Sequence, residues 1–196
     1  MELFLATKNK GKIIEFTEVL SDLSIKLLTP ADIPGFPKEI PEEESSFREN
    51  ALAKARFAHA HANYPVLADD SGIIVEALKK ELGVHTRRWG AGPEASDEEW
   101  ITYFLNRMKN EKNKRAEFVC VLALIDENGL KHIFEGHCMG TITETLEADY
   151  LPGLPISACF RPDGYDRVFS ALTVAEKNRV SHRGRAMQEL RKFLQR

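Results

Sequence analysis

Two periodicities of apolar residues alternate along the chain, and the points where one gives way to the other mark out its elements. Residues 2–6 form a short apolar run, after which Ile13, Ile14, Phe16, Val19 and Leu20 recur at helical spacing. This predicts a strand, a short loop and a helix from about Lys12 to Leu23. From Leu27 to Pro41 the chain is Pro-rich and extended, with room for a second strand. Ser46-Phe-Arg-Glu49 has capping-box spacing ahead of an Ala-rich helix reaching about Ala62. Pro65–Ala68 reads as a short apolar strand ending in Asp69-Asp70-Ser71-Gly72, and Ile73–Leu78 continues as strand or short helix. A second capping box, Ser96–Glu99, opens a helix to about Met108. Arg115–Ile125 and Leu130–Ile142 are β-rich runs separated by the turn Asp126–Gly129, which predicts a long antiparallel hairpin. Thr173–Glu176 is a third capping box, and Ser181–Leu194 reads as a closing helix with Ala186, Leu190, Phe193 and Leu194 on its apolar side. The fold class expected is α/β with a mixed sheet.

Composition narrows this picture. A length of 196 residues with 43% hydrophobic content suits a full core and one domain over residues 1–196. The formal charge of −3 gives no whole-protein case for binding nucleic acid. No apolar run approaches the length of a membrane span, and the first residues lack the pattern of a signal peptide, so a cytoplasmic protein is expected. Cys120, Cys138 and Cys159 are odd in number and far apart, which suits reduced thiols better than a disulfide frame or a zinc site.

Several segments carry candidate chemistry. Thr7-Lys8-Asn9-Lys10-Gly11-Lys12 joins a strand to a helix start, where unpaired amides, the helix dipole and three ammonium groups suit a polyphosphate, although lysines before a surface helix are also commonly solvated. Asp69 and Asp70 at a strand end suit Mg²⁺ and the activation of a water, while Asp69-Asp70-Ser71-Gly72 also has the composition of an ordinary turn. Glu39, Glu42, Glu43 and Glu44 form an acidic stretch, either a source of a further metal ligand or a solvated loop. Asn50 and Lys54 share a helix face four residues apart. Lys177, His182, Arg183 and Arg185 gather at a helix start, fit for an anion or a purine ring oxygen, or for a basic amphipathic surface.

Taken together, Ala6–Lys12, Phe47–Ala55, Ala68–Gly72 and Glu176–Ala186 closely resemble the inosine triphosphate pyrophosphatase family, and Gly83–Gly90 and Arg115–Phe118 look like its middle motifs. The resemblance runs in order over nearly the whole chain. It implies hydrolysis of ITP, dITP and XTP to the monophosphate and pyrophosphate with Mg²⁺, by a homodimer whose long mixed sheet, with helices on both sides, lies between two lobes flanking a nucleotide cleft. By that resemblance Thr7 to Lys12 and Lys54 hold the triphosphate, Asp70 is the general base or a metal ligand, Asp69 and Ser71 stand beside it, and Lys177, His182 and Arg183 face the base.

The chain departs from the family in two places. The family's Phe-Gly-Tyr-Asp-Pro segment falls, by count, on Leu154-Pro155-Ile156-Ser157-Ala158, while the look-alike Gly164-Tyr165-Asp166 lies too near Lys177. An aromatic face becomes Ile156, a carboxylate becomes the hydroxyl of Ser157, and Pro155 removes a backbone donor. In the acidic loop Pro41 stands where a metal-binding glutamate is usual, and Glu42 is the nearest substitute. Beside hydrolysis of ITP, dITP and XTP, these changes leave open action on another modified nucleotide, or nucleotide sensing with little turnover.

Overall fold

A computed structural model describes residues 1–37, 39–40, 46–78, 81–86, 89–92 and 94–195. Its elements run β1 (Glu2–Leu5), α1 (Lys10–Leu20), β2 (Lys26–Leu28), α2 (Phe47–Ala62), β3 (Val66–Val75), α3 (Asp97–Met108), β4 (Arg115–Ile125), β5 (Lys131–Ile142), β6 (Phe160–Pro162), α4 (Val174–Val180) and α5 (His182–Leu194). The six strands form one mixed sheet in the order β2-β1-β3-β4-β5-β6. β1 pairs in parallel with β2 and β3, and the rest of the sheet is antiparallel.

Local chemistry accounts for the helix starts. The hydroxyls of Ser46, Ser96 and Thr173 accept the amides of Glu49, Glu99 and Glu176, and the last two close full capping boxes. α1 begins two residues before the expected start because Asn9 caps it, its side chain accepting the Lys12 amide. Lys10, Gly11 and Lys12 are therefore the first turn of a helix, not part of the loop.

Burial on both sheet faces explains the near-continuous apolar strands. One face holds Phe4, Val66, Ala68, Val121 and Ala123 against the fully buried Ala51, Ala55 and Ala58 of α2, whose small side chains let the helix lie close. The other holds Leu3, Leu5, Leu67, Leu122 and Leu124 against Phe16 of α1 and Ala186, Met187 and Leu190 of α5. A third cluster gathers the far halves of β3 and β4 with Trp100 and Phe104 of α3, Phe160 and Phe169.

The largest difference from expectation lies in β3. Asp69-Asp70-Ser71-Gly72 is not a turn but the middle of a ten-residue strand, paired antiparallel with Leu122 to Val119 of β4. β1 stops at Leu5 opposite Leu67, whereas β3 runs on to Val75, so the carboxylates stand beside the gap where β1 gives way to α1. Among the described residues no helix is long and apolar enough to cross a membrane.

Candidate active site

A cleft of about 380 Å³ opens at that gap, within the size range of small-molecule sites. Its wall combines charged and polar side chains, among them Asn9, Lys12, Lys54, Asp70, Ser71, Lys177 and Arg183, with apolar ones, among them Trp100, Phe118, Leu154, Ile156 and Phe169. Segments more than a hundred residues apart in sequence thus meet in one hollow.

Because successive strand residues point to opposite faces, the adjacent aspartates do different things. Asp70 is held from α2, where Lys54 and Asn50 occupy one helix face: Lys54 Nζ donates to Oδ1 at 2.7 Å and Asn50 Nδ2 to Oδ2 at 3.1 Å. Burial pushes the Asp70 carboxyl above its usual value, outweighing the ammonium groups of Lys54 and Lys12 and the Asn50 amide. A carboxylate made more basic in this way, at a cleft wall, suits proton transfer near neutral pH.

Asp69, by contrast, is part of the foundation. Its Oδ1 takes the Lys12 ammonium and the Ser71 hydroxyl, and its Oδ2 takes Arg183 Nε and the Cys120 thiol, each at 3.2 Å. Although burial opposes ionisation, Lys12 and Arg183 hold this carboxyl well below the carboxylate range. Asp69, expected beside Asp70 as a metal ligand, has both oxygens engaged by the protein, as Asp70 has.

Glu15 completes this framework and carried no signal in the sequence, where it reads as one more charge on α1. It is buried and ion-paired to both Lys177 and Arg183, which keep it ionised against the cost of burial. Arg183 is consequently held at Glu15, at Asp69 and, through Nη2, at the Ser71 hydroxyl at 2.9 Å. Although it lines the cleft, its guanidinium serves mainly to tie β3 to α1. His182 stacks on Phe118, with ring centres 4.6 Å apart and planes 12° apart. Burial, with the Arg183 charge beside it, drives its pKa well below the ordinary histidine value, so the ring is neutral.

Other expected site residues lie elsewhere. Lys10 is exposed, and Thr7, Lys8, Lys10 and Gly11 are outside the cleft lining. Thr7 Oγ1 accepts the Asn9 amide at 3.2 Å, and the Gly11 amide donates to the Pro152 carbonyl at 3.1 Å. Glu42 lies outside the described residues, as does most of the acidic stretch. Leu154, Pro155, Ile156 and Ser157 all line the cleft, with Ser157 Oγ donating to the Leu154 carbonyl at 2.6 Å. Tyr165 and Asp166 do not line it, and the Tyr165 hydroxyl accepts from Arg179. The segment counted back from Lys177 is therefore the one that borders the site.

The donor chemistry fits a magnesium ion through Asp70, because Mg²⁺ commonly takes one or two protein carboxylates and completes its shell with water and substrate phosphate. Among the described residues no group of three or more His, Cys, Asp or Glu side chains is gathered as a self-sufficient metal cage.

Comparison with known proteins finds relatives over the whole chain. A sequence model of the Ham1 family matches residues 3–193. The chain is 39% identical over 194 residues to a dITP/XTP pyrophosphatase of Leptospira interrogans, covering 98% of this chain and 96% of that protein. Its fold is similar to that of the Ham1 protein of Staphylococcus aureus, with a TM-score of 0.81 and 32% identity over 100% of this chain and 98% of that one. A HAM1 protein from Coxiella burnetii gives a TM-score of 0.82 and 34% identity, with the same coverage.

Proposed function

The chain belongs to the Ham1 family, and from that premise we propose that it hydrolyses non-standard purine nucleoside triphosphates, among them ITP, dITP and XTP, to the monophosphate and pyrophosphate. The observation that carries this reading is the convergence of Lys12, Lys54 and Asp70 in the wall of a cleft that also presents apolar side chains. A nucleotide calls for both, its phosphates wanting cations and its base an apolar wall.

In the proposed mechanism Lys12, Lys54 and Asn9 orient the phosphate chain. Asp70, poised by Lys54 and Asn50, takes a proton from the attacking water at a carboxylate oxygen. Lys177 and neutral His182 face the base, while Leu154 to Ser157 close its pocket. Thr7, Lys8, Lys10 and Gly11 shape the phosphate loop and the start of α1. Four cations, Lys12, Lys54, Lys177 and Arg183, meet four carboxylates, Glu15, Asp69, Asp70 and Asp97, so protein charge alone neutralises little of a triphosphate. Magnesium would supply the remaining neutralisation, held by Asp70 and, in this reading, Glu42. Attack at the α-phosphorus is taken from the family resemblance. A single catalytic domain over residues 1–196, a homodimer and a cytoplasmic setting belong to the same proposal; the buried free thiols of Cys120, Cys138 and Cys159 are consistent with a reducing compartment.

The test is incubation with Mg²⁺ and a panel of dITP, ITP, XTP and standard nucleoside triphosphates, with pyrophosphate and orthophosphate measured separately. Pyrophosphate release that favours dITP, ITP or XTP is expected. Orthophosphate alone, or no product from any of them, overturns the reading.

A further inference from the structure

Between the starts of α1 and α3 passes the segment Leu151 to Leu154, and a single peptide unit in it is gripped from both sides. The Pro152 carbonyl accepts the Gly11 amide of α1 at 3.1 Å, and the Gly153 amide donates to Asp97 Oδ2, at the first residue of α3, at 2.5 Å. In a trans peptide the carbonyl and the amide point in opposite directions, so the two helix starts hold the segment between them. Asn9 adds a third contact from α1, its Nδ2 donating to the Gly153 carbonyl at 3.1 Å. Gly153 itself has φ of +79°, and a Cβ there would lie 2.5 Å from that Asn9 nitrogen, so the grip requires glycine.

Directly beyond the gripped peptide comes the tight turn Pro155–Ala158, in which Ile156 and Ser157 border the cleft near Trp100 of α3. We propose that Asp97 is a positioning residue for base recognition: through the Gly153 amide it sets Leu154 to Ser157 against the nucleobase, without binding the phosphates. The inference rests on the nucleotide reading given above. A carboxylate suits the task because it is a strong acceptor and because the first turn of a helix favours negative charge.

The test uses the whole protein with Mg²⁺, comparing wild type, Asp97→Ala, Asp97→Asn and Gly153→Ala. Steady-state pyrophosphate release from dITP and dGTP is measured, together with inhibition by inorganic tripolyphosphate, which has no base. Losing one hydrogen bond to a charged acceptor is expected to raise KM for dITP about tenfold and to narrow the dITP to dGTP ratio of kcat/KM by a similar factor in Asp97→Ala. Tripolyphosphate inhibition stays within about twofold of wild type, because Lys12 and Lys54 are untouched. Asp97→Asn, which keeps an acceptor oxygen, recovers part of the loss, and Gly153→Ala reproduces it. A folded Asp97→Ala with unchanged KM and ratio overturns the inference, as does an equal loss of tripolyphosphate affinity. Should Asp97→Ala not fold, the same criteria apply to Asp97→Asn. If the wild type releases no pyrophosphate from dITP, the functional reading fails first; equilibrium binding of dITP and tripolyphosphate to the same variants then decides, with equal dITP affinities, or no dITP binding by wild type, counting against Asp97.

Discussion

Asp69 and Asp70 are neighbours of identical chemistry whose opposite facing gives them opposite roles. Asp69 is a buried anion between Lys12 and Arg183, and removing its charge leaves two cations without their carboxylate. Asp69→Asn should therefore cost about 3–5 kcal/mol of stability, read as a fall in Tm. Asp70 is an anion that burial disfavours, so folding gains nothing from its charge at neutral pH. Asp70→Asn should lower kcat/KM about 10²- to 10⁴-fold while Tm holds or rises. Equal losses of Tm in the two variants would refute this division. The sequence shows both residues but not the division, because the turn propensity of Asp-Asp-Ser-Gly is local and is overridden by ladder pairing with β4. Glu15 was hidden for a related reason: only the fold brings it to Arg183, 168 positions away.

At the scale of elements, the parts that local chemistry decides were legible. Capping residues at Ser46, Ser96 and Thr173, and the Asp126–Gly129 turn, fixed three helix starts and the β4–β5 hairpin near their observed places. What could not be read is how the elements press together. The start of α5 lies flush on β5 at Gly136, where a Cβ would fall 2.0 Å from the His182 carbonyl oxygen and 2.7 Å from the Ala186 nitrogen. Both neighbours are backbone and cannot turn aside. Gly136→Ala should cost about 3 kcal/mol and lower Tm by about 10 °C. It should also reduce turnover, since lifting α5 displaces His182 and Arg183 from the cleft. An unchanged Tm would mean that α5 can slide without loss.

For the whole molecule, the buried charges set the response to acid. His182 has a pKa well below 6.5 in the folded protein, so on acidification the unfolded chain takes up a proton that the folded chain refuses, and stability falls as pH drops below 6.5. Asp69, whose folded pKa is depressed, loses its contribution only below the ordinary value of 3.8, as pH falls through the folded pKa. Asp70 acts in the opposite sense, its raised folded pKa favouring the folded state as pH falls. The first acid loss is thus assigned to His182, at up to about 1.4 kcal/mol per pH unit. Thermal melts from pH 7.5 to 5 should show this slope in wild type and a shallower one in His182→Gln; identical slopes would place the titration elsewhere.

The anion framework of Glu15, Asp69, Lys177 and Arg183 also has a consequence during synthesis. On the ribosome, Glu15 and Asp69 emerge early, whereas the guanidinium that joins them belongs to the last helix. Until that helix appears, a growing chain has its lysine-bearing first helix and both aspartates of β3, but not the guanidinium that ties β3 to α1. Translation that stops short of α5 therefore leaves Glu15 and Asp69 without the guanidinium that joins them.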